Sequence, residues 1–258
     1  MGNEGRVVSI STRRFSCDEC AVSDECLGRD EASHESHRDA GSISSSRVIR
    51  RGERLFHCGD PFDAVFIVRS GTVKTTMITS EGSEQIIGFY GPGDVIGLDA
   101  IETGRYVCTA EALDTSSLCA LPFDQLCRLC QKSQPVQQRL LGKMSSQIFT
   151  DVAMLLALGQ KSAEQRIAYF LLGQSRKQFR LGYSPVEINL AMSRLEIGSY
   201  LALAVETVSR VLTRLQGAGV LSVSRNRIDI LDLEILAAIA DQPLDPEIAP
   251  SPRLTAVH

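Results

Sequence analysis

The chain has 258 residues, 43% hydrophobic and 22% charged, with a net charge of -4 and eight cysteines. That length and apolar content support a real core and two modest domains without disulfides, and neither an apolar signal segment in residues 1–14 nor any run near the roughly 18 apolar residues of a membrane span is present. The expectation is a cytoplasmic protein with no membrane partner, whose cysteines are free thiols or metal ligands rather than a disulfide framework.

Residues 1–46 are polar, rich in Ser, Asp and Glu, and lack sustained periodicity. Alone they read as a disordered leader that a bound metal could order. Within it Cys17, Cys20 and Cys26 form a C-x2-C-x5-C run, a thiolate spacing that serves iron–sulfur clusters and zinc alike. From Val48 to about Leu121, β-prone runs are cut by turn signals at Arg51-Gly52, Gly59-Asp60-Pro61, Ser70-Gly71, Glu81-Gly82-Ser83, Gly91-Pro92-Gly93-Asp94 and Thr103-Gly104. Turns every 8 to 12 residues or so predict an antiparallel barrel or jelly roll over residues 47–134.

A long helix is predicted over residues 135–160. Leu141, Met144, Ile148, Asp151, Leu155 and Leu158 follow a 3-4-3-4-3 spacing, the rhythm of a coiled-coil seam, which predicts a homodimer. The alternative is a helix packed on its own β-domain. Asp151 would place a carboxylate on the seam, and a symmetric dimer would bring two such charges together as a brake on association.

The next domain spans residues 161–240. Helices are expected over Ser162 to Gln178 and, after Ser184-Pro185, over Val186 to Met192. Ser193-Arg194-Leu195-Glu196 is a capping box that starts a helix to about Leu201; Ala202-Leu203-Ala204 makes a tight turn, and a second helix runs from Val205 to Gln216 before Gly217. This pattern is a helix-turn-helix. Val220 to Val223, Arg225-Asn226-Arg227 and Ile228 to Leu231 follow as a hairpin with a basic tip, completing a winged form. The tail, residues 241–258, has four prolines and reads as disordered.

On the second helix Val208, Val211, Leu212 and Leu215 share one face, and Glu206, Ser209, Arg210 and Thr213 the opposite one. One face can pack while the other reads base edges: guanidinium on guanine, carboxylate on the cytosine amino group, hydroxyl on thymine. Arg225 and Arg227 on the wing would meet phosphates. The chain is acidic overall, yet Lys161 to Leu231 carries ten Lys/Arg against five Asp/Glu. That asymmetry assigns double-stranded DNA to the C-terminal third.

The cysteine triad, the Gly91-Pro92-Gly93-Asp94-Val95-Ile96-Gly97 turn and Glu206-x-x-Ser209-Arg210 together resemble the FNR branch of the cyclic-AMP receptor protein superfamily. The resemblance covers residues 15 to 235 or so. It implies an α+β architecture: a β-roll sensor domain, a dimerisation helix and a C-terminal winged helix-turn-helix. It further implies an oxygen-labile 4Fe-4S cluster held by the triad and one roll cysteine. The stretch Glu111 to Pro122 nominates Cys119 as that fourth ligand, and Cys58, Cys108, Cys127 and Cys130 remain as small buried hydrophobes, although Cys127-x2-Cys130 could supply alternative ligands or a redox pair.

The resemblance further implies an oxygen- or redox-responsive transcription regulator and activator, TTGAT-like half-sites, and contact with RNA polymerase through the turn Thr79-Ser80-Glu81-Gly82-Ser83. Cyclic nucleotide is not expected, because the Arg-Ser/Thr-Ala phosphate motif of related rolls is replaced by Tyr106-Val107-Cys108-Thr109-Ala110. Nor is an enzyme expected, since no nucleophile–base pair, P-loop or H-E-x-x-H stands out. Two competing readings are a zinc-stabilised regulator, with Cys17-x2-Cys20 and His34-x2-His37 as a Cys2His2 site, and an Fe–S electron carrier.

Overall fold

The computed structural model describes Cys20, Val22, Cys26, Leu27 and residues 45–243. Cys17, His34, His37 and the proline-rich tail beyond residue 243 lie outside the described residues. The chain divides into two compact units, Met1–Gln147 and Ile148–His258.

Among the described residues of the first unit, eight strands build two antiparallel four-stranded sheets: β1 (Ser45–Ile49), β2 (Arg54–Phe56), β3 (Ala64–Ser70), β4 (Val73–Ile78), β5 (Glu84–Tyr90), β6 (Val95–Ile96), β7 (Thr109–Ala112) and β8 (Ser116–Pro122). The sheet orders are β1-β8-β3-β6 and β2-β7-β4-β5, the expected roll. The Gly91–Gly97 turn is locked to β3. Gly93 N–H donates to the Val68 carbonyl at 2.9 Å, Val68 N–H donates to the Asp94 carbonyl at 3.0 Å, and the Asp94 carboxylate accepts from Gly91 N–H at 2.9 Å. Two helices follow: α1 (Phe123–Lys132), which the sequence reading lacked, and α2 (Gln134–Gln160), inside which the boundary between units falls.

The second unit contains α3 (Ala163–Arg180), β9 (Glu187–Asn189), α4 (Arg194–Leu201), α5 (Val205–Gly217), β10 (Leu221–Ser224), β11 (Arg227–Ile230) and α6 (Leu233–Ala240). The helix expected over Val186 to Met192 is instead strand β9, which adds to the wing as β10-β11-β9. Its side chains alternate: Ile188 and Leu190 are buried while Glu187 and Asn189 are exposed, and Ile188 pairs with Ile228. Period 2 has won over a run too short to fix its own type. Arg166 ties helix ends together, its guanidinium donating to the carbonyls of Leu158 at 2.7 Å, Lys161 at 2.9 Å and Leu201 at 3.1 Å.

The turn between α4 and α5 depends on a close backbone approach. Ala202 takes the left-handed conformation at φ 52°, and Leu203 N–H donates to the Gly198 carbonyl at 2.9 Å. A Cβ on Gly198 would sit 2.6 Å from the Leu203 carbonyl oxygen. Gly→Ala inside a helix ordinarily gains about 1 kcal/mol. Here Gly198→Ala should instead lose about 1–3 kcal/mol through overpacking, read as a lower midpoint in thermal unfolding; a raised midpoint would refute the close approach.

Candidate functional site

Strand β3 reads Ala64-Val65-Phe66-Ile67-Val68, and all five side chains are buried. Ala64, Phe66 and Val68 line the roll interior with Leu118 and Ala120 of β8. Val65, Ile67 and Leu121 belong to a second cluster with Leu126 of α1 and Val136 of α2. Because side chains alternate along a strand, Cys119 falls on the helix-covered face, and it borders that second cluster. In the ladder it lies opposite Ser46 of β1 and Ile67 of β3.

Leader residues reach the same face. Leu27 is fully buried inside the second cluster, and Cys26 packs at its edge. Arg139 of α2 donates to the Cys26 carbonyl at 3.4 Å. Cys20 is half-buried beside a buried Val22. Cys130 borders the same cluster, its thiol pushed up by burial and by Cys127. The structure thus brings Cys26 and Cys119 to one face, while Cys17 lies outside the described residues. Among the described residues no group of three or more ligand-type side chains is already gathered. Leu27 and Arg139 were not singled out from sequence; a lone leucine directly after Cys26 in a polar leader was the available signal.

The roll interior is filled by aromatic side chains. Tyr106 stacks on Phe56 at 3.7 Å between centroids and meets Phe62 edge-on at 5.6 Å. Its hydroxyl donates to the Ala64 carbonyl at 2.8 Å, and its pKa is raised by burial and then by Asp63. Cys108 and Ala110 are buried there too.

Along α2, Leu141 is 59%, Ile148 63% and Leu155 70% exposed, and Phe149, Val152 and Leu156 extend the apolar face at 76%, 50% and 61%. Met144 and Leu158 are half-buried. Asp151 is exposed at the flank of this face, about 100° round the helix from Val152, rather than at its centre. Its charge reaches Tyr200 of α4, whose pKa is raised by burial, Tyr169 and Asp151 in that order.

The reading helix α5 buries Val208, Val211, Leu212 and Leu215 and exposes Glu206, Ser209, Arg210 and Thr213. Ser209 and Thr213 hydroxyls donate back to the Val205 and Ser209 carbonyls, both at 3.0 Å, so their lone pairs face outward as acceptors. Arg210 donates to Thr207 Oγ1 at 3.4 Å and makes no ion pair among the described residues. Much of the segment's basic charge is used internally. Arg214 pairs with Glu164 at 2.6 Å, and Lys161 closes α6 through the Ala240 carbonyl at 2.8 Å. Arg227, read from sequence as part of the wing tip, starts β11 and meets Asp229 at 2.7 Å and Glu187 at 3.3 Å. The tip itself is Arg225-Asn226, with Arg225 at φ 52°. Half-buried Arg194, whose pKa is lowered by that burial, donates to the Arg225 carbonyl at 3.4 Å.

A β-roll followed by a long helix and a winged helix-turn-helix defines a sensor-and-reader transcription regulator. Residues 46–133 match the family model of the cyclic nucleotide-binding domain, and residues 165–239 that of the Crp-like helix-turn-helix domain. The chain is 40% identical over 226 residues to the fumarate nitrate reduction regulatory protein of Klebsiella oxytoca, covering 88% of this chain and 90% of that one. It is 41% identical over 229 residues to the transcriptional activator protein anr of Pseudomonas aeruginosa, covering 89% and 94%. The structure of FixK2 from Bradyrhizobium japonicum aligns with a TM-score of 0.70 at 28% identity, over 79% of this chain and 99% of that one. The chain belongs to the FNR family of fumarate and nitrate reduction regulators, within the cyclic-AMP receptor protein superfamily. It is a DNA-binding transcription regulator, and these relatives are regulators rather than enzymes. No helix among the described residues is long and apolar enough to cross a membrane.

Proposed function

We propose that this regulator responds to oxygen through a 4Fe-4S cluster held by Cys17, Cys20, Cys26 and Cys119, and that cluster state sets dimerisation through α2 and binding to palindromic promoter DNA. The observation that carries this reading is Leu27, seated in the cluster that borders Cys119 and bringing Cys26 to the same face. The donor set fits the group: four thiolates, three from a polar leader and one from a strand of the core. When bound, the cluster supplies an oxygen-labile centre whose loss frees the thiolates.

The chain's own residues link that site to α2. Buried Leu27 touches the cluster that contains Val136, and Arg139 holds the Cys26 carbonyl. Whatever fixes Cys26 therefore also stabilises the start of the dimerisation helix, and the two equilibria are coupled. In the dimer, two α5 helices enter successive major grooves about 34–36 Å apart. Arg210 reads guanine, Glu206 accepts from the cytosine amino group, and Ser209 and Thr213 contact thymine. The exposed Thr79–Ser83 turn, closed by Thr79 N–H donating to the Ser83 carbonyl at 2.8 Å, faces RNA polymerase. The aromatic filling of the roll supports a sensor that takes no cyclic nucleotide.

Anaerobically isolated protein should be brown, with about four irons per chain. Cys17→Ser, Cys20→Ser, Cys26→Ser and Cys119→Ser should each abolish the cluster, whereas Cys130→Ser should retain it. One zinc per chain and no colour would overturn the reading, and an intact cluster in Cys119→Ser would move the fourth ligand to α1.

A further inference from the structure

Two cysteines outside the proposed ligand set face each other across the end of the roll. Strands β2 and β7 pair with Phe56 opposite Ala110, and the contact continues past the end of β2. Cys58 N–H donates to Thr109 Oγ1 at 3.1 Å, Cys58 S–H donates to the Val107 carbonyl at 3.3 Å, and Gly59 N–H donates to the Tyr106 carbonyl at 2.7 Å. Cys58, in the turn that follows β2, thus bonds to the residues on either side of Cys108, Val107 and Thr109, which sets the two cysteines next to each other. A disulfide requires Cα atoms roughly 4.4–6.8 Å apart, a separation consistent with two residues held by direct hydrogen bonds from one to both neighbours of the other.

The two thiols sit in unlike surroundings. Cys58 is exposed, and Cys108 is only 2% exposed. The Cys108 S–H donates to Asp99 Oδ2 at 3.7 Å. Burial raises the Cys108 pKa, with Asp99 and Cys58 adding to the shift, so this thiol keeps its proton until a base removes it.

We propose that Cys58 and Cys108 form a reversible dithiol switch for hydroperoxides, separate from the cluster. Cys58 is oxidised first, Cys108 resolves, and Asp99 accepts the Cys108 proton. In the first step the Cys58 sulfur attacks the peroxide: an S–O bond forms, the O–O bond breaks, and alcohol or water departs with the thiol proton, leaving a sulfenic acid. In the second, the Cys108 sulfur attacks the Cys58 sulfur as Asp99 takes its proton. The S–S bond forms, the S–O bond breaks, and the departing hydroxide recovers that proton as water. Two thiols are oxidised by two electrons and one hydroperoxide is reduced. The product staples the residue 57–61 turn to the approach of β7, next to Tyr106.

Brief hydrogen peroxide treatment of the anaerobic full-length protein, followed by alkylation and peptide mass mapping, tests the proposal. A Cys58–Cys108 linked peptide is expected, reversed by dithiothreitol. Cys108→Ser should accumulate dimedone-trapped sulfenic acid at Cys58, and Cys58→Ser should leave Cys108 reduced. Asp99→Asn should slow disulfide formation about 100-fold, as loss of a positioned base does, without slowing sulfenic acid formation at Cys58. The proposal fails if Cys58 pairs with a different cysteine, if Cys108 oxidises as fast in Cys58→Ser as in the parent, or if Cys58 stays reduced.

Discussion

Replacing Arg210 by alanine is expected to weaken binding to a palindromic target by about 2–6 kcal/mol, about 1–3 for each half-site, and to relax preference at one guanine. Arg210 stands on the outward face of α5, where among the described residues its guanidinium donates to the Thr207 hydroxyl at 3.4 Å and pairs with no carboxylate. No carboxylate has to be abandoned before it meets a base. The comparison that isolates base reading is Arg225→Ala at the wing tip. That change should weaken specific and random DNA alike and lower the salt slope by about 0.9 per lost phosphate contact. Arg227→Ala should do less, because Asp229 and Glu187 already neutralise Arg227. Fluorescence anisotropy against the palindrome and a scrambled duplex, over a salt series, separates these outcomes. Equal losses on both duplexes for Arg210→Ala would remove it as a base reader.

The double substitution Ile148→Glu, Leu155→Glu is expected to turn the protein into a monomer. Both side chains are more than half exposed in the isolated chain, and both stand on the apolar face that also carries Leu141 and Val152. Burying one such side chain contributes about 1.5–3 kcal/mol. Two from each protomer therefore contribute roughly 6 kcal/mol or more, or about four decades in the dissociation constant. Asp151→Ala should act in the opposite direction: sedimentation of the cluster-free variant should show more dimer than the parent. Its place at the flank of the face makes this effect smaller than a head-on pair of carboxylates would give. Unchanged sedimentation of the double glutamate variant would mean that association uses another surface, and equal dimer fractions for Asp151→Ala would reject the brake.

The roll was legible from its punctuation. Gly52, Gly59, Gly71, Gly82, Gly93, Gly97 and Gly104 all adopt positive φ, a conformation that glycine takes without penalty, so the turn signals were written in residue type. The helix-turn-helix was equally plain, because Ser193 and Glu196 form the expected reciprocal cap. Elements without such marks were lost. Helix α1 follows β8 directly at Pro122 with no intervening loop, and of its ten residues only Leu126 is fully buried. Strand β9 owes its form to pairing with β11, a long-range partner invisible in a seven-residue run.

The site shows the same division. Cys26, Cys119 and Arg210 were nominated by residue type, and the first two border one apolar cluster while the third is exposed on α5. Which side of α2 remains exposed depends instead on what Val136, Leu140 and Ala157 pack against, and that shifts the apolar face towards Val152. Formal charge misled in a similar way: a count of Lys and Arg cannot reveal that Lys161, Arg214 and Arg227 are committed to internal partners.

Ser46 sits directly across from Cys119 in the β1–β8 ladder, so the chain enters its first strand beside the proposed fourth ligand. Cys26 lies about twenty residues upstream along the same backbone. Leu27 is buried in the apolar cluster that Cys119 borders, so both ends of the intervening segment belong to the same unit, and ligands carried on one backbone meet intramolecularly. Bringing the leader sulfurs to Cys119 is then a unimolecular closure, independent of protein concentration. Dilution should therefore leave ligand assembly within a chain unchanged while it separates the protomers of a dimer.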